Sequence, residues 1–273
     1  EKGLLLEFRK DRGEESRTQS RKKGRRMPVS RVFALSEGSS PTQEPETSQE
    51  WREKAEGAVP VAGTAGETYL LGRGVPPDVQ ASAGVLFKRD FYGRPAVLFL
   101  ILDGTGEAVA VEGRFLSPGT GPKAICKGPK SRGVFATPGA FDGGPVAIVE
   151  APIDALSLAT LGLPAVATMG AENCPRWLIR RLAFREVFLA QDADQAGDDA
   201  AERIGGELQA FGARCSRLRP NAGKDWNELL QTQGAETVRA SLASIRAADP
   251  LSIYEPVPPG LFEEAEYDPF ADE

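Results

Sequence analysis

Histidine is absent from all 273 residues. That absence excludes a histidine-based catalytic triad and the Cys/His class of zinc site within this chain. Cysteine is scarce as well. Cys126, Cys174 and Cys215 stand far apart with no Cys-x-x-Cys spacing, which suits a reducing, cytoplasmic setting. No apolar run approaches the ~20 residues that a membrane-spanning helix needs, and no secretory pattern opens the chain, so no membrane association is expected. The first residue is Glu rather than Met, as in a fragment that lacks an upstream domain.

What is present is a 41% hydrophobic chain, enough for one large domain or two small ones, with its charge unevenly spread. Net charge is −6, yet residues 1–32 hold 11 Lys/Arg against 5 Asp/Glu, and residues 253–273 hold seven acids and no base. Such ends read as solvated tails, with Arg21-Lys-Lys-Gly-Arg-Arg26 also suited to loose phosphate contact. Residues 1–48 are polar and read as a disordered tail, and residues 249–273 as an acidic one. Between them, residues 49–144 begin with short helices near Trp51 and before Gly72, then carry apolar runs over 85–87, 96–102 and 108–116. The turn clusters Tyr92-Gly-Arg-Pro95 and Asp103-Gly-Thr-Gly106 separate these runs, predicting a small antiparallel meander. Residues 145–248 alternate strand and helix: strands at 146–149, 164–168, 186–190 and 214–218, helices at 153–162, 175–183, 197–211 and 235–247. That order predicts an α/β fold with a parallel four-stranded sheet flanked by helices, preceded by a small, basic α+β subdomain.

Three acids stand where apolar runs stop: Glu150 after Val146–Val149, and Asp192 and Asp194 after Glu186–Ala190. Chemistry in open α/β sheets collects beyond the carboxyl ends of the strands. In extended backbone, Asp192 and Asp194 point the same way. Carboxylates converging there call for a cation, and hard oxygen ligands suit Mg²⁺ or Mn²⁺ and phosphate chemistry. Asp154 lies one helical turn beyond Glu150, and Asp225-Trp-Asn227 offers another acid and an amide after the fourth strand. Alternatives are a surface carboxylate at a strand end for Glu150 and a helix cap for the Asp-x-Asp pair. Gly197 either brings the helix start close to metal and phosphate or simply ends the loop. From Gly113 to Phe141 there is no acid, while Arg114, Lys123, Lys127, Lys130 and Arg132 all fall there. Gly and Pro punctuate this stretch, so it reads as a basic loop that can bring a polyanion to the acids.

These residues resemble the Toprim domain of primases, topoisomerases and related nucleases. The resemblance is carried by Val146-Ala-Ile-Val-Glu150-Ala-Pro-Ile-Asp154, Ala165-Val-Ala-Thr-Met-Gly170 and Leu189-Ala-Gln-Asp192-Ala-Asp194-Gln-Ala-Gly197. The preceding segment, with Tyr69-Leu-Leu-Gly-Arg-Gly-Val75 and Val111-Glu-Gly-Arg114-Phe-Leu116, resembles the N-terminal part of the bacterial, phage or plasmid primase polymerase core. The resemblance implies Mg²⁺- or Mn²⁺-dependent synthesis of short RNA primers on single-stranded DNA, in replication of a bacterial or mobile genetic element. It implies catalysis by Glu150, Asp192 and Asp194 and metal binding by Glu150, Asp154, Asp192, Asp194 and Asp225. It also implies template or triphosphate contact by Arg114, Lys123, Lys127, Lys130 and Arg132, and a replicative helicase as partner. Two departures stand out: Ala151 follows the Glu where the family often has Gly, and Asn227 replaces the second acid of a primase Asp-x-Asp. The alternatives are a Toprim-family nuclease and a non-catalytic DNA-binding module.

Overall fold

The computed structural model describes residues 46–248, so the acidic tail and all but the last residues of the basic one lie outside the described residues. Helix α1 (Glu46–Ala55) begins within the stretch read as a tail. Then come β1 (Val59–Pro60), α2 (Ala65–Leu71), α3 (Pro77–Ser82), β2 (Leu86–Phe91), β3 (Arg94–Leu102), β4 (Ala108–Phe115) and β5 (Ala124–Lys127). A 3₁₀ turn over Lys130–Arg132 leads to β6 (Phe135–Ala136). The remainder alternates: β7 (Val146–Val149), α4 (Pro152–Thr160), β8 (Ala165–Ala167), α5 (Arg176–Arg181), β9 (Glu186–Leu189), α6 (Gln195–Ala210), β10 (Arg214–Arg217), α7 (Trp226–Gln233) and α8 (Ala235–Ala248). No described helix is long and apolar enough to cross a membrane.

Strands β1–β5 form one sheet in sequence order, antiparallel throughout. Its central strand, β3, is apolar on both faces because both are covered. Ala96 and Leu98 pack with Trp51 of α1, whereas Val97, Phe99 and Ile101 join a core shared with α4, α7 and the second sheet. This alternation of neighbours across a pleat decides which way every polar side chain on the adjacent strands points. The stretch read as a loop from 113 to 141 is partly strand. β5 pairs antiparallel with β4, and β6 pairs with β8 in the other sheet. Both strands are short and bounded by Gly or Pro, which hid them among turn signals.

The second sheet has the order β10-β9-β7-β8-β6, with the expected four strands parallel and β6 added antiparallel at the edge. β8 pairs on one side of β7 and β9 on the other, so the strand order reverses about β7. Residues of α4 pack in the core on one face, and those of α6 on the other. The chain therefore leaves β7 and β9 in opposite directions, opening a crevice beyond their carboxyl ends, where ligands of open α/β sheets bind.

A buried polar junction ties α4 and α7 to the turn after α2. Asn227 is 3% exposed. Its backbone N–H donates to Asp154 Oδ1 (3.0 Å), and its Nδ2 donates to the Arg73 carbonyl (2.9 Å) and to Ser157 Oγ (3.0 Å). Its Oδ1 accepts from Arg73 Nη1 (2.7 Å). An amide supplies the donors and acceptor that these partners need; a carboxylate would set acceptor against acceptor at the Arg73 carbonyl. All the polar atoms of the Asn227 side chain are thus engaged in this junction. Asp154, expected at the metal, is buried in the same junction. Burial pushes its carboxyl up to about 8, with the charge of Asp225 adding to the shift. A folded-state value above the ordinary 3.8 means that the folded protein holds a proton the unfolded chain has lost. Stability is then fullest at low pH and declines as pH rises from the ordinary value toward about 8. Asp154→Asn keeps the acceptor for Asn227 and removes the titration. Chemical denaturation across that window should show the wild-type decline flattened in the variant; an unchanged slope would place the titrating group elsewhere.

Candidate active site

Three acids stand at the crevice. Glu150 follows β7 and is half-buried. Its Oε1 lies 3.4 Å from the backbone N of Asp192, so the ends of β7 and β9 meet through this carboxyl. Asp194 caps α6: its Oδ1 accepts from Gly197 N (2.9 Å). The cap and the metal-ligand readings are thus compatible, since one oxygen serves the helix and Oδ2 remains for a cation. Gly197 is required by closeness. A Cβ there would stand 2.2 Å from the Asp192 carbonyl oxygen, so the first turn of α6 folds directly against the Asp-x-Asp backbone.

A cation position already exists between the two aspartates. Lys224 Nζ lies 3.4 Å from Asp192 Oδ2 and 3.1 Å from Asp194 Oδ2. Among the described residues no three Asp, Glu or Cys side chains converge on one point, so the expected three-carboxylate cage is not formed as the side chains stand. Two carboxylate oxygens suffice for Mg²⁺, which keeps several waters and takes its other ligands from substrate phosphates. The donor set of Asp192 and Asp194, with Lys224 standing in for the ion, fits a hard divalent cation. Asp225 caps α7 through Glu228 N (2.7 Å), and its charge reaches both Asp154 and Asp192. Asp154 itself faces the buried junction.

The environments push these carboxyls apart. Burial, then the Asp192 charge, raises Glu150. Burial raises Asp192 against the opposing pull of Lys224. Asp194 is lowered by the Gly197 N–H and by Lys224. The ionised form is thus favoured at Asp194 and the protonated form at Glu150 and Asp192. Burial raises the three unpaired cysteine thiols to about 11, which removes them as nucleophiles at neutral pH.

Arg217 organises this rim and carried no signal in the sequence beyond a base at the end of a short strand. Its Nη1 donates to the carbonyls of Leu189 (2.9 Å), Gln191 (3.0 Å) and Leu218 (2.9 Å). Its Nη2 donates to the Asp192 carbonyl (2.8 Å) and to Asp198 Oδ1 (2.8 Å). The guanidinium fork thus pins the backbone on both sides of Asp192 while Asp198, also paired with Arg219, neutralises it. Gln191, fully buried beside Asp192, makes no protein hydrogen bond through either amide atom.

The predicted basic residues divide by face. On β4, Ala110 packs toward the second sheet, so Glu112 and Arg114 face the same way. Arg114 is close enough for its charge to act on Asp154. Lys130 Nζ donates to the Met169 carbonyl (3.1 Å) at a cleft of ≈ 380 Å³ lined also by Ser131, Gly170 and Asn173. The Gly170 N–H donates to the Glu150 carbonyl (3.0 Å), so this cleft adjoins the acids. Lys123 and Arg132 are exposed. Lys127 lies opposite Val111, whose side chain packs with α1, and its Nζ pairs with Glu50 of that helix at 2.8 Å. Register therefore turns Lys127 away from the crevice, which the sequence could not show without the pairing.

Residues 147–230 match the Toprim-like family. No curated protein matches the sequence. Among solved structures, the zinc-binding and RNA polymerase domains of the Aquifex aeolicus primase are similar at 20% identity and a TM-score of 0.55, over 72% of this chain and 59% of that one. The chain thus spans less than two thirds of that protein's length. A DNA primase domain from Pseudomonas aeruginosa is similar at 22% identity and a TM-score of 0.52, over 72% of this chain and 78% of that one. At such identities the likeness establishes fold. The segment 147–230 has a Toprim-like fold, and together with the antiparallel sheet that precedes it the chain has the fold of a primase catalytic core.

Proposed function

We propose that the chain is a primase-type nucleotidyltransferase that joins nucleotides into short RNA primers on single-stranded DNA during replication of a bacterial or mobile genetic element. The observation that carries this reading is the pair Asp192 and Asp194 sharing a cation position beside Glu150, at the point where the strand order reverses. Asp192 and Asp194 would hold Mg²⁺ or Mn²⁺, which when bound supplies charge neutralisation at the reacting phosphate. Glu150, raised by burial, would take the proton of the attacking hydroxyl. Arg217 and the Gly197 turn hold the Asp-x-Asp backbone in place. Lys130 at the adjoining cleft, together with Arg114, Lys123 and Arg132, would receive template and triphosphate. A replicative helicase is the partner this assignment calls for, and unpaired cysteines suit the cytoplasm.

The test is incorporation of labelled nucleotides on single-stranded DNA with Mg²⁺ or Mn²⁺, using the chain with any zinc module that precedes it. Asp192→Ala and Glu150→Ala should each lower incorporation by about a hundredfold or more. Nicking of DNA without nucleotides would reassign the site to a nuclease, and absence of any product on any template would end the primase reading.

One observation favours a second reading, a non-catalytic module: Lys224 already satisfies the aspartate pair. The two readings separate on metal affinity. If the site is catalytic, Mn²⁺ must displace Lys224, and Lys224→Ala should tighten Mn²⁺ binding by about two- to fivefold in titration calorimetry. No heat from either protein would favour the scaffold.

A further inference from the structure

At the opposite rim, where β9 and β10 begin, the surface carries two open aromatic rings among arginines. Phe184 is 84% exposed and Phe211 46%. The Phe184 N–H donates to the Phe211 carbonyl (3.2 Å), and Phe184 holds φ +59°, the left-handed region that a bulky side chain rarely adopts. The turn that carries Phe211 makes room for this ring: at Gly212 (φ +75°) a Cβ would stand 2.6 Å from Phe184 Cδ1. Residues 175–185 contain four arginines and no acid. Arg176, Arg180, Arg181 and Arg214 are exposed, and the Arg214 N–H donates to the Arg185 carbonyl (2.8 Å), which brings the two turns together. Arg185 is fastened to the carbonyls of Ala140 and Gly144, the charge of Asp142 acts on it, and Glu186, next in sequence, pairs in register with Arg214.

None of this serves the carboxylate site, which lies beyond the other ends of the same strands. A protein partner anchors its side chains in pockets, whereas a ring that is 84% exposed lines none. A nucleobase needs only an open ring face to stack on, and the fork of a guanidinium matches a phosphate. We propose that the Phe184–Phe211 corner is a second contact for single-stranded nucleic acid, separate from the carboxylate crevice, taking up a strand that runs past it. This rests on the reading of the chain as a nucleic-acid enzyme.

The experiment measures fluorescence anisotropy of the full chain with a fluorescein-labelled oligothymidylate of about 30 nucleotides at several salt concentrations. Phe184→Gly removes the ring and relieves the left-handed backbone, so it should melt no lower than the wild type while binding about fivefold or more weakly. Arg181→Ala combined with Arg214→Ala should reduce the salt dependence by about two phosphate contacts. The control, Lys123→Ala with Arg132→Ala, removes two of the bases proposed above to contact the template. Should the control alone lose affinity, the second contact is refuted and the primase reading stands. Should the wild type fail to bind, both fall together. A synthetic peptide of residues 253–273 bound by the wild type but not by Phe184→Gly, with oligothymidylate binding unchanged, would overturn the proposal and assign the corner to an acidic peptide.

Discussion

Repulsion among Glu150, Asp192 and Asp194 is the constraint on which the crevice depends. The fold places the ends of β7 and β9 side by side, so three carboxyls share one rim. Such a group is tolerated only with a cation among it or with some of its carboxyls protonated. The protein uses both devices. Lys224 lies between Asp192 and Asp194, and burial raises Glu150 and Asp192 toward the protonated form. A divalent ion carried in with a triphosphate would meet the same demand with twice the charge of the ammonium it replaces.

Such a rim needs a rigid floor. Arg217 ties the carbonyls of Leu189, Gln191 and Asp192 to β10, and Gly197 lets the first turn of α6 press on the Asp192 backbone. Away from the rim, the Asp154–Asn227–Arg73 junction fixes the Toprim-like helices to the turn after α2. The shared apolar core beneath β3 does the same for the two sheets. The acidic crevice and the sheet that precedes it are thus held by one shared apolar core.

Much of this was legible in the sequence where a periodic signal was long or an apolar run ended abruptly. β7 and β9 stop just before Glu150 and near Asp192, and α6 shows a clear apolar face, so the parallel order and the place of these acids beyond the strand ends could be read directly. What could not be read depends on register and burial. β5 and β6 are too short to rise above the Gly and Pro around them. Lys127 and Arg114 are both bases in one acid-free stretch, yet pleat parity sends one to α1 and the other toward the second sheet. Asp154 and Asn227 look like rim ligands by spacing but are consumed by a junction whose third member, Arg73, is 154 residues from Asn227. Arg217 acts through backbone carbonyls, which leave no residue-type signature.

The most direct test of the central claim is a crystal of the chain soaked in Mn²⁺ and measured for anomalous scattering. The account predicts a peak bound by Asp192 Oδ2 and Asp194 Oδ2, with the Lys224 ammonium moved away from both. Lys224 still bridging the two aspartates, with manganese elsewhere or nowhere, would contradict it.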